Sequence, residues 1–163
     1  MEYDSVERFI CLSVFGAVLC GMGVIRSAVS SWSPYKVSEP APPVTGVDYS
    51  AADTTLLLFL SNRCHLCDES VPFYRQLVAQ RTSRRSGIQI VAVGHDDQQG
   101  IERYCRDHQL SVYRAVSIDA STWAEIRGTP ALVAINRQGL IMGSWLGRLS
   151  EINQSRVRRV AGF

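Results

Sequence analysis

The chain has 163 residues, 46% hydrophobic and 20% charged, which is enough for one domain with a full apolar core plus a short appendage. Seventeen basic against fifteen acidic side chains leave a net charge of +2, and the densest arginine clusters, Arg84-Arg85 and Arg156, Arg158, Arg159, read as solvated helix ends. That excludes nucleic acid as a partner, and five cysteines with one close pair among them exclude a disulfide scaffold.

Residues 1–8 form a short acidic tail, MEYDSVER. Residues 9–25, FICLSVFGAVLCGMGVI, carry no charge and are bracketed by Arg8 and Arg26. As a helix this run rises about 26 Å, enough to cross a thin bilayer. It is apolar on every face, unlike a helix at the surface of a core. Ala28 and Ser30 offer small residues of the kind a signal peptidase cleaves after, but the leading tail is acidic where a signal peptide is basic. An uncleaved transmembrane anchor therefore fits better than a cleaved signal peptide, and Leu19 ahead of Cys20 argues against a lipoprotein. Arg8 on one side balances Arg26 and Lys36 on the other, so charge sets no orientation. Residues 26–50 hold four of the six prolines and show no helical or strand period, so they read as a semi-rigid tether, with Trp32 and Tyr35 suited to the lipid headgroup level.

From residue 51 to 163 the pattern is regular. TTLLLFL, residues 54–60, is a short continuous apolar run of the buried-strand kind. A helix follows over 68–85, with Val71, Tyr74, Leu77 and Val78 on one face, acids in its first turn and arginines in its last, and Pro72 inside it. A strand is expected over 87–94, a helix over 98–110, a strand over 111–119 and a short helix over 121–126. Residues 130–147 read as a hairpin turning at 136–139, and 149–160 as a closing helix. Strands alternating with helices, then a late hairpin, give an α/β class with a mixed sheet covered by helices on both faces.

The stretch SNRCHLCDES, residues 61–70, joins the first strand to the first helix and contains the pair Cys64 and Cys67. A C-x-x-C pair serves haem attachment, zinc binding or redox exchange. Covalent haem needs a histidine directly after the second cysteine, where Asp68 stands. Zinc needs two more thiolates or imidazoles, usually as a second close pair, and beyond the motif the domain offers only scattered His95, His108 and Cys105. Redox exchange remains, with no cofactor and no metal. Cys64 then lies at the start of the helix and Cys67 one turn inside, close enough for a disulfide, and the helix N-terminus favours the outer thiolate. Arg63 and His65 flank that sulfur and favour it further. Cys105 sits in a helical pattern and reads as a small buried hydrophobe.

In these features the chain resembles the thioredoxin fold, and within it the membrane-tethered TlpA/ResA-like branch. The resemblance covers roughly residues 53–160. It is carried by the strand, C-x-x-C and helix unit, by Pro72 five residues past Cys67, and by RGTPALVAINRQGLI, residues 127–141. It implies that Thr129-Pro130 is a cis peptide against the cysteine pair, with the Thr129 backbone able to pair with a substrate strand. It implies a thiol-disulfide oxidoreductase with Cys64 as nucleophile and Cys67 as resolving cysteine. Its domain would face an extracytoplasmic space, act on protein thiols and disulfides, and exchange electrons with an upstream membrane or envelope redox partner. Such proteins serve envelope-protein or cytochrome maturation and redox homeostasis.

The chain also departs from the pattern. Thioredoxin's buried aspartate falls on Leu58, its tryptophan on Arg63, and the helix glutamate of many tethered relatives on Ser70, one place from Glu69. The proton acceptor for Cys67 stays open among Glu69, His65, His95, Asp96 and Asp97. Two other readings compete: a peroxiredoxin-like peroxide reductase, for which Ser61 stands three residues ahead of Cys64 without the accompanying proline, and a tethered module binding Cu(I) or holding a static disulfide, for which His65 is the one neighbouring imidazole.

Overall fold

The computed structural model describes residues 35–84, 87–95 and 97–163. The apolar run at 9–25 and Asp96 lie outside the described residues. Among the described residues no helix is long and apolar enough to cross a membrane.

The strands are β1 (Thr54–Phe59), β2 (Ile88–Gly94), β3 (Arg114–Ser117), β4 (Ala131–Asn136) and β5 (Ile141–Leu146), and the helices are α1 (His65–Arg84), α2 (Gln98–Asp107), α3 (Ala120–Glu125) and α4 (Glu151–Ala161). They form one five-stranded sheet in the order β3-β2-β1-β4-β5. β1, β2 and β3 run parallel, while β4 pairs antiparallel with both β1 and β5. The alternation of side chains along a strand splits β1 between two cores. Leu56 and Leu58, with Leu60 just past the strand, face one; Leu57 and Phe59 face the other. Every residue of β1 and β2 is buried, because a central parallel pair is covered on both sides.

The first core is roofed by three helices. Val71, Tyr74, Leu77 and Val78 of α1 pack there with Cys67, joined by Ile101, Tyr104 and Cys105 of α2 and by Val157 and Ala161 of α4. These i, i+3 and i, i+4 spacings put each set on one face of its helix. Cys105 is a free, buried thiol whose pKa burial pushes up to about 11. α3 is short and held by its cap: Asp119 accepts from the amides of Ser121 at 2.9 Å and Thr122 at 3.0 Å, and these bonds, with that of the Ser121 hydroxyl first, hold its carboxyl well below the usual range.

The opposite face is covered mainly by a segment expected to be tether. Of residues 26–50, the part from Tyr35 onward lies against the sheet. Ser38 N–H donates to Ile141 O at 2.8 Å, Ile141 N–H to Glu39 O at 2.9 Å, and Ala41 N–H to Gly139 O at 2.9 Å, so this strap pairs with the start of β5. Val44 is buried in the second core with Tyr35, Ala41, Val47 and Tyr49 packed against it, so Tyr35 serves the domain and not a headgroup layer. The physical reason is that α3 is too short to cover Leu57, Val91, Val93 and Val133 alone. Gly46 takes φ 76°, and a Cβ there would stand 2.6 Å from the Arg114 guanidinium, which donates to Gly46 O at 2.7 Å.

Gln89, buried on β2, fastens the strap from below: its Nε2 donates to Asp48 O at 2.8 Å and to Thr55 Oγ1 at 2.6 Å. Gln89→Ala leaves both acceptors short of a donor, and a loss of about 2 kcal/mol in urea denaturation is expected. A loss below about 0.5 kcal/mol would show that the strap is held without it.

Three elements differ by three residues at one end from the sequence reading: α2 ends at Asp107 and not at 110, because Gln109 takes a φ of 54° that a helix does not continue. α1 begins at His65, three residues ahead of 68, because Cys64 O already accepts from Cys67 N at 2.9 Å. β3 covers Arg114–Ser117 and not 111–119, because Val112 N–H turns back to Leu110 O at 2.8 Å and delays the strand.

Candidate functional site

β1 ends in the apolar core, Leu60 N–H still pairing with Val93 O at 2.9 Å, and the chain then turns through Ser61, Asn62 and Arg63. Ser61 closes that turn twice: its hydroxyl accepts from Arg63 N–H at 3.3 Å and its carbonyl from Cys64 N–H at 3.2 Å. Cys64 is thereby left at the mouth of α1. Its sulfur and that of Cys67 are at bonding distance, with the Cα atoms 5.2 Å apart. The two are not equivalent. Cys64 is half-buried and Cys67 fully buried, and the Cys67 N–H points at Cys64 Sγ, 3.1 Å away. An amide donor and the positive end of a 20-residue helix converge on the outer sulfur, which stabilises negative charge there when the bond is open.

The pairing of Phe59 with Ala131 puts the loop before β4 and the loop after β1 at the same end of neighbouring strands. In that loop the Thr129-Pro130 peptide is cis, Thr129 is half-buried and Pro130 buried, and Arg127 and Gly128 ahead of them take φ of 61° and 152°. The Pro130 carbonyl accepts from Gly147 N–H at 2.7 Å, which ties the loop to the end of β5.

The residues named from sequence as tuning groups are distributed unequally. Arg63 is exposed, and among the described residues its guanidinium has no hydrogen-bond or ion-pair partner. His65 is exposed too, but its Nε2 lies 2.8 Å from Glu69 Oε1, one turn along α1. Glu69 Oε2 in turn lies 2.6 Å from Arg148 Nη1. The hydrogen bond from Arg148 is the main reason the Glu69 carboxyl is held below its usual range. His95 stacks on Trp123 with ring centroids 5.6 Å apart. Asp97 caps α2, its Oδ1 accepting from Gly100 N–H at 2.6 Å. Leu58 and Ser70 are buried, and the Ser70 hydroxyl donates to Leu66 O at 2.7 Å.

Two groupings had no sequence signal. One is Arg148, which lies 79 residues from Glu69 in the chain. The other is a polar cluster behind the motif: Asp68 Oδ1 accepts from Tyr104 OH at 3.0 Å, His108 Nε2 stands 3.4 Å from the same oxygen, and the Tyr104 and His108 rings are 4.3 Å apart. Burial first, and Asp68 second, push the Tyr104 phenol upward. With Asn62 these residues line a hollow of about 230 Å³. A larger cleft of about 420 Å³ lies between Glu69 and Phe73 of α1 and Arg148, Ser150 and Gln154 at the start of α4.

No family model matches the sequence, and no curated protein sequence matches it. Solved structures do match. A thiol:disulfide interchange protein from Bacteroides sp. superposes with a TM-score of 0.61 at 14% identity, over 80% of this chain and 93% of that one. A thioredoxin-family thiol:disulfide interchange protein from Chlorobium tepidum TLS gives 0.59 at 19% identity, over 78% and 98%. A putative protein disulfide isomerase from Bacteroides thetaiotaomicron gives 0.62 at 14% identity, over 78% and 91%. At these identities the likeness is one of fold: the chain has the thioredoxin fold, with a C-x-x-C pair at disulfide distance at the head of its first long helix.

Proposed function

We propose that this thioredoxin-fold chain is a thiol-disulfide oxidoreductase held at a membrane by residues 9–25, with its domain (residues 35–163) on the non-cytoplasmic side. The observation that carries the reading is the unequal exposure of the pair: a half-buried Cys64 under a helix N-terminus and a fully buried Cys67 one turn behind it. An attacking sulfur must be reachable by a substrate, and a resolving sulfur must be reachable only by the first.

In the reductive direction the Cys64 thiolate attacks one sulfur of a substrate disulfide. The substrate S–S bond breaks, a Cys64–substrate bond forms, and one substrate thiolate leaves. Cys67 then loses its proton and attacks Cys64 Sγ, expelling the second substrate thiolate and closing the Cys64–Cys67 bond. The substrate gains two electrons and two protons, and the protein loses them. In the oxidative direction the same steps run backward. A dithiol or disulfide partner in the membrane or envelope restores the starting form. The loop at Thr129 and Pro130 supplies backbone beside the pair against which an extended substrate segment can align.

The test uses full-length protein in isolated membranes. Carbonate-resistant association, together with reduction or oxidation of insulin disulfides, is the expected result. Turnover of peroxide, or Cu(I) binding, without disulfide exchange would overturn it.

A further inference from the structure

Gly147, the residue after β5, is bonded to Pro130, and the next residue, Arg148, reaches across to α1. There Glu69 divides its carboxylate between two partners, the Arg148 guanidinium at 2.6 Å on one oxygen and the His65 ring at 2.8 Å on the other. His65 directly follows Cys64. These side chains are largely exposed, with Arg148 at 62% and His65 at 84%, so the arrangement contributes little to stability. Its consequence is electrostatic, and it bears on the sulfur at the mouth of the helix.

We infer that Arg148 is a positioning residue of the redox site: it pins and neutralises Glu69, so that this carboxylate does not oppose the Cys64 thiolate and His65 is held beside it. The inference rests on the proposed disulfide exchange at Cys64 and deepens it. With His65 neutral the three groups sum to zero charge, and with it protonated they sum to one positive charge. Without Arg148 each sum falls by one, and the thiolate faces a net anion or a neutral pair. The low carboxyl pKa of Glu69 agrees, since the hydrogen bond from Arg148 is its largest cause.

Charged groups on the neighbouring segments include Arg63 beside Cys64, Arg127 in the loop that carries Thr129 and Pro130, Asp68 on α1, which is turned toward Tyr104 and His108 of α2, and Glu151 in the first turn of α4, which lines the same cleft as Glu69. They are the same in every variant below and cancel in the comparison.

The test is the pH dependence of Cys64 alkylation in the reduced full-length chain, read on the Cys64 peptide by mass spectrometry so that the other thiols do not interfere. Arg148→Gln is expected to raise the Cys64 pKa by about half a pH unit, a threefold loss in the thiolate equilibrium, as one unit charge removed across partly solvated space implies. Glu69→Gln is expected to lower it by a similar amount. The double variant restores the charge balance and returns it close to the starting value, and Arg148→Lys, which keeps the charge, leaves it near that value. All shifts shrink in high salt. A purely structural tie would not give opposite signs that cancel. If the single variants leave the pKa unmoved, or both move it the same way, while the parent chain still exchanges disulfides, the role given to Arg148 is wrong and the proposed function stands. If the shifts appear as stated but the parent chain exchanges no disulfides, the proposed function fails and the charge coupling stands.

Discussion

Cys64→Ser is expected to reduce disulfide exchange to the uncatalysed rate, and Cys67→Ser to arrest it halfway. The first variant has lost the half-buried sulfur, and Cys67, with no exposed surface, cannot replace it. The second keeps the attacking sulfur under the helix N-terminus but has nothing to expel the substrate, so a Cys64–substrate mixed disulfide accumulates toward one equivalent. Non-reducing electrophoresis with insulin, followed by mass mapping of the adduct, reads both outcomes. Retained turnover in Cys64→Ser together with its loss in Cys67→Ser would reverse the two roles. Neither substitution changes side-chain volume much, so neither is expected to prevent folding, which circular dichroism of both variants checks.

The second large effect is on stability. Leu58 is fully buried in the core that also holds Cys67, and among the described residues no buried side chain is cationic. Leu58→Asp, which installs the aspartate that thioredoxin-like sequences carry at this place, therefore buries a charge without a partner. A loss of about 4 kcal/mol or more at neutral pH is expected. Burial raises the carboxyl pKa in the folded state, so the folded protein binds the proton more tightly than the unfolded one. The penalty grows as pH rises through the unfolded value of about 4 and levels off above the raised folded value, which makes the variant least compromised in acid. Urea midpoints at pH 7 and pH 4 test both parts. A loss under about 1 kcal/mol at pH 7 would mean that the site can hydrate or pair a carboxylate, as a proton acceptor for Cys67 placed there would require.

The parts of the fold that the sequence made legible are those in which local pattern and burial agree. The run Leu56 to Leu60 is apolar at every position because both faces of β1 are covered, and it points straight at the cysteine pair. Spacing alone puts Cys64 and Cys67 on one turn. The strap was not legible, because its contribution is made through backbone carbonyls and prolines that have no period: Glu39 O accepts from β5, and Pro42 O accepts from Tyr49 OH at 2.6 Å. Nor was the charge group at the site legible as a whole. His65 and Glu69 stand in i, i+4 relation and are visible as a pair, but Arg148 belongs to a loop defined only by where β5 ends. Likewise Asp68 meets Tyr104 and His108 only because α1 and α2 share one face of the sheet.

The strap also determines how the domain bears load. Its backbone bonds to residues 139–141 lie across the strand direction, and residue 38 enters alongside β5. In a chain anchored as proposed, tension arriving at residue 35 meets the strap first, and its component along the strap strains the three bonds together, as a shear, instead of peeling them one at a time. The force is delivered to the β4–β5 hairpin at its turn end, remote from the sheet end that carries Cys64. A tug on the tether would therefore be absorbed by the hairpin before it could alter the spacing of the two sulfurs.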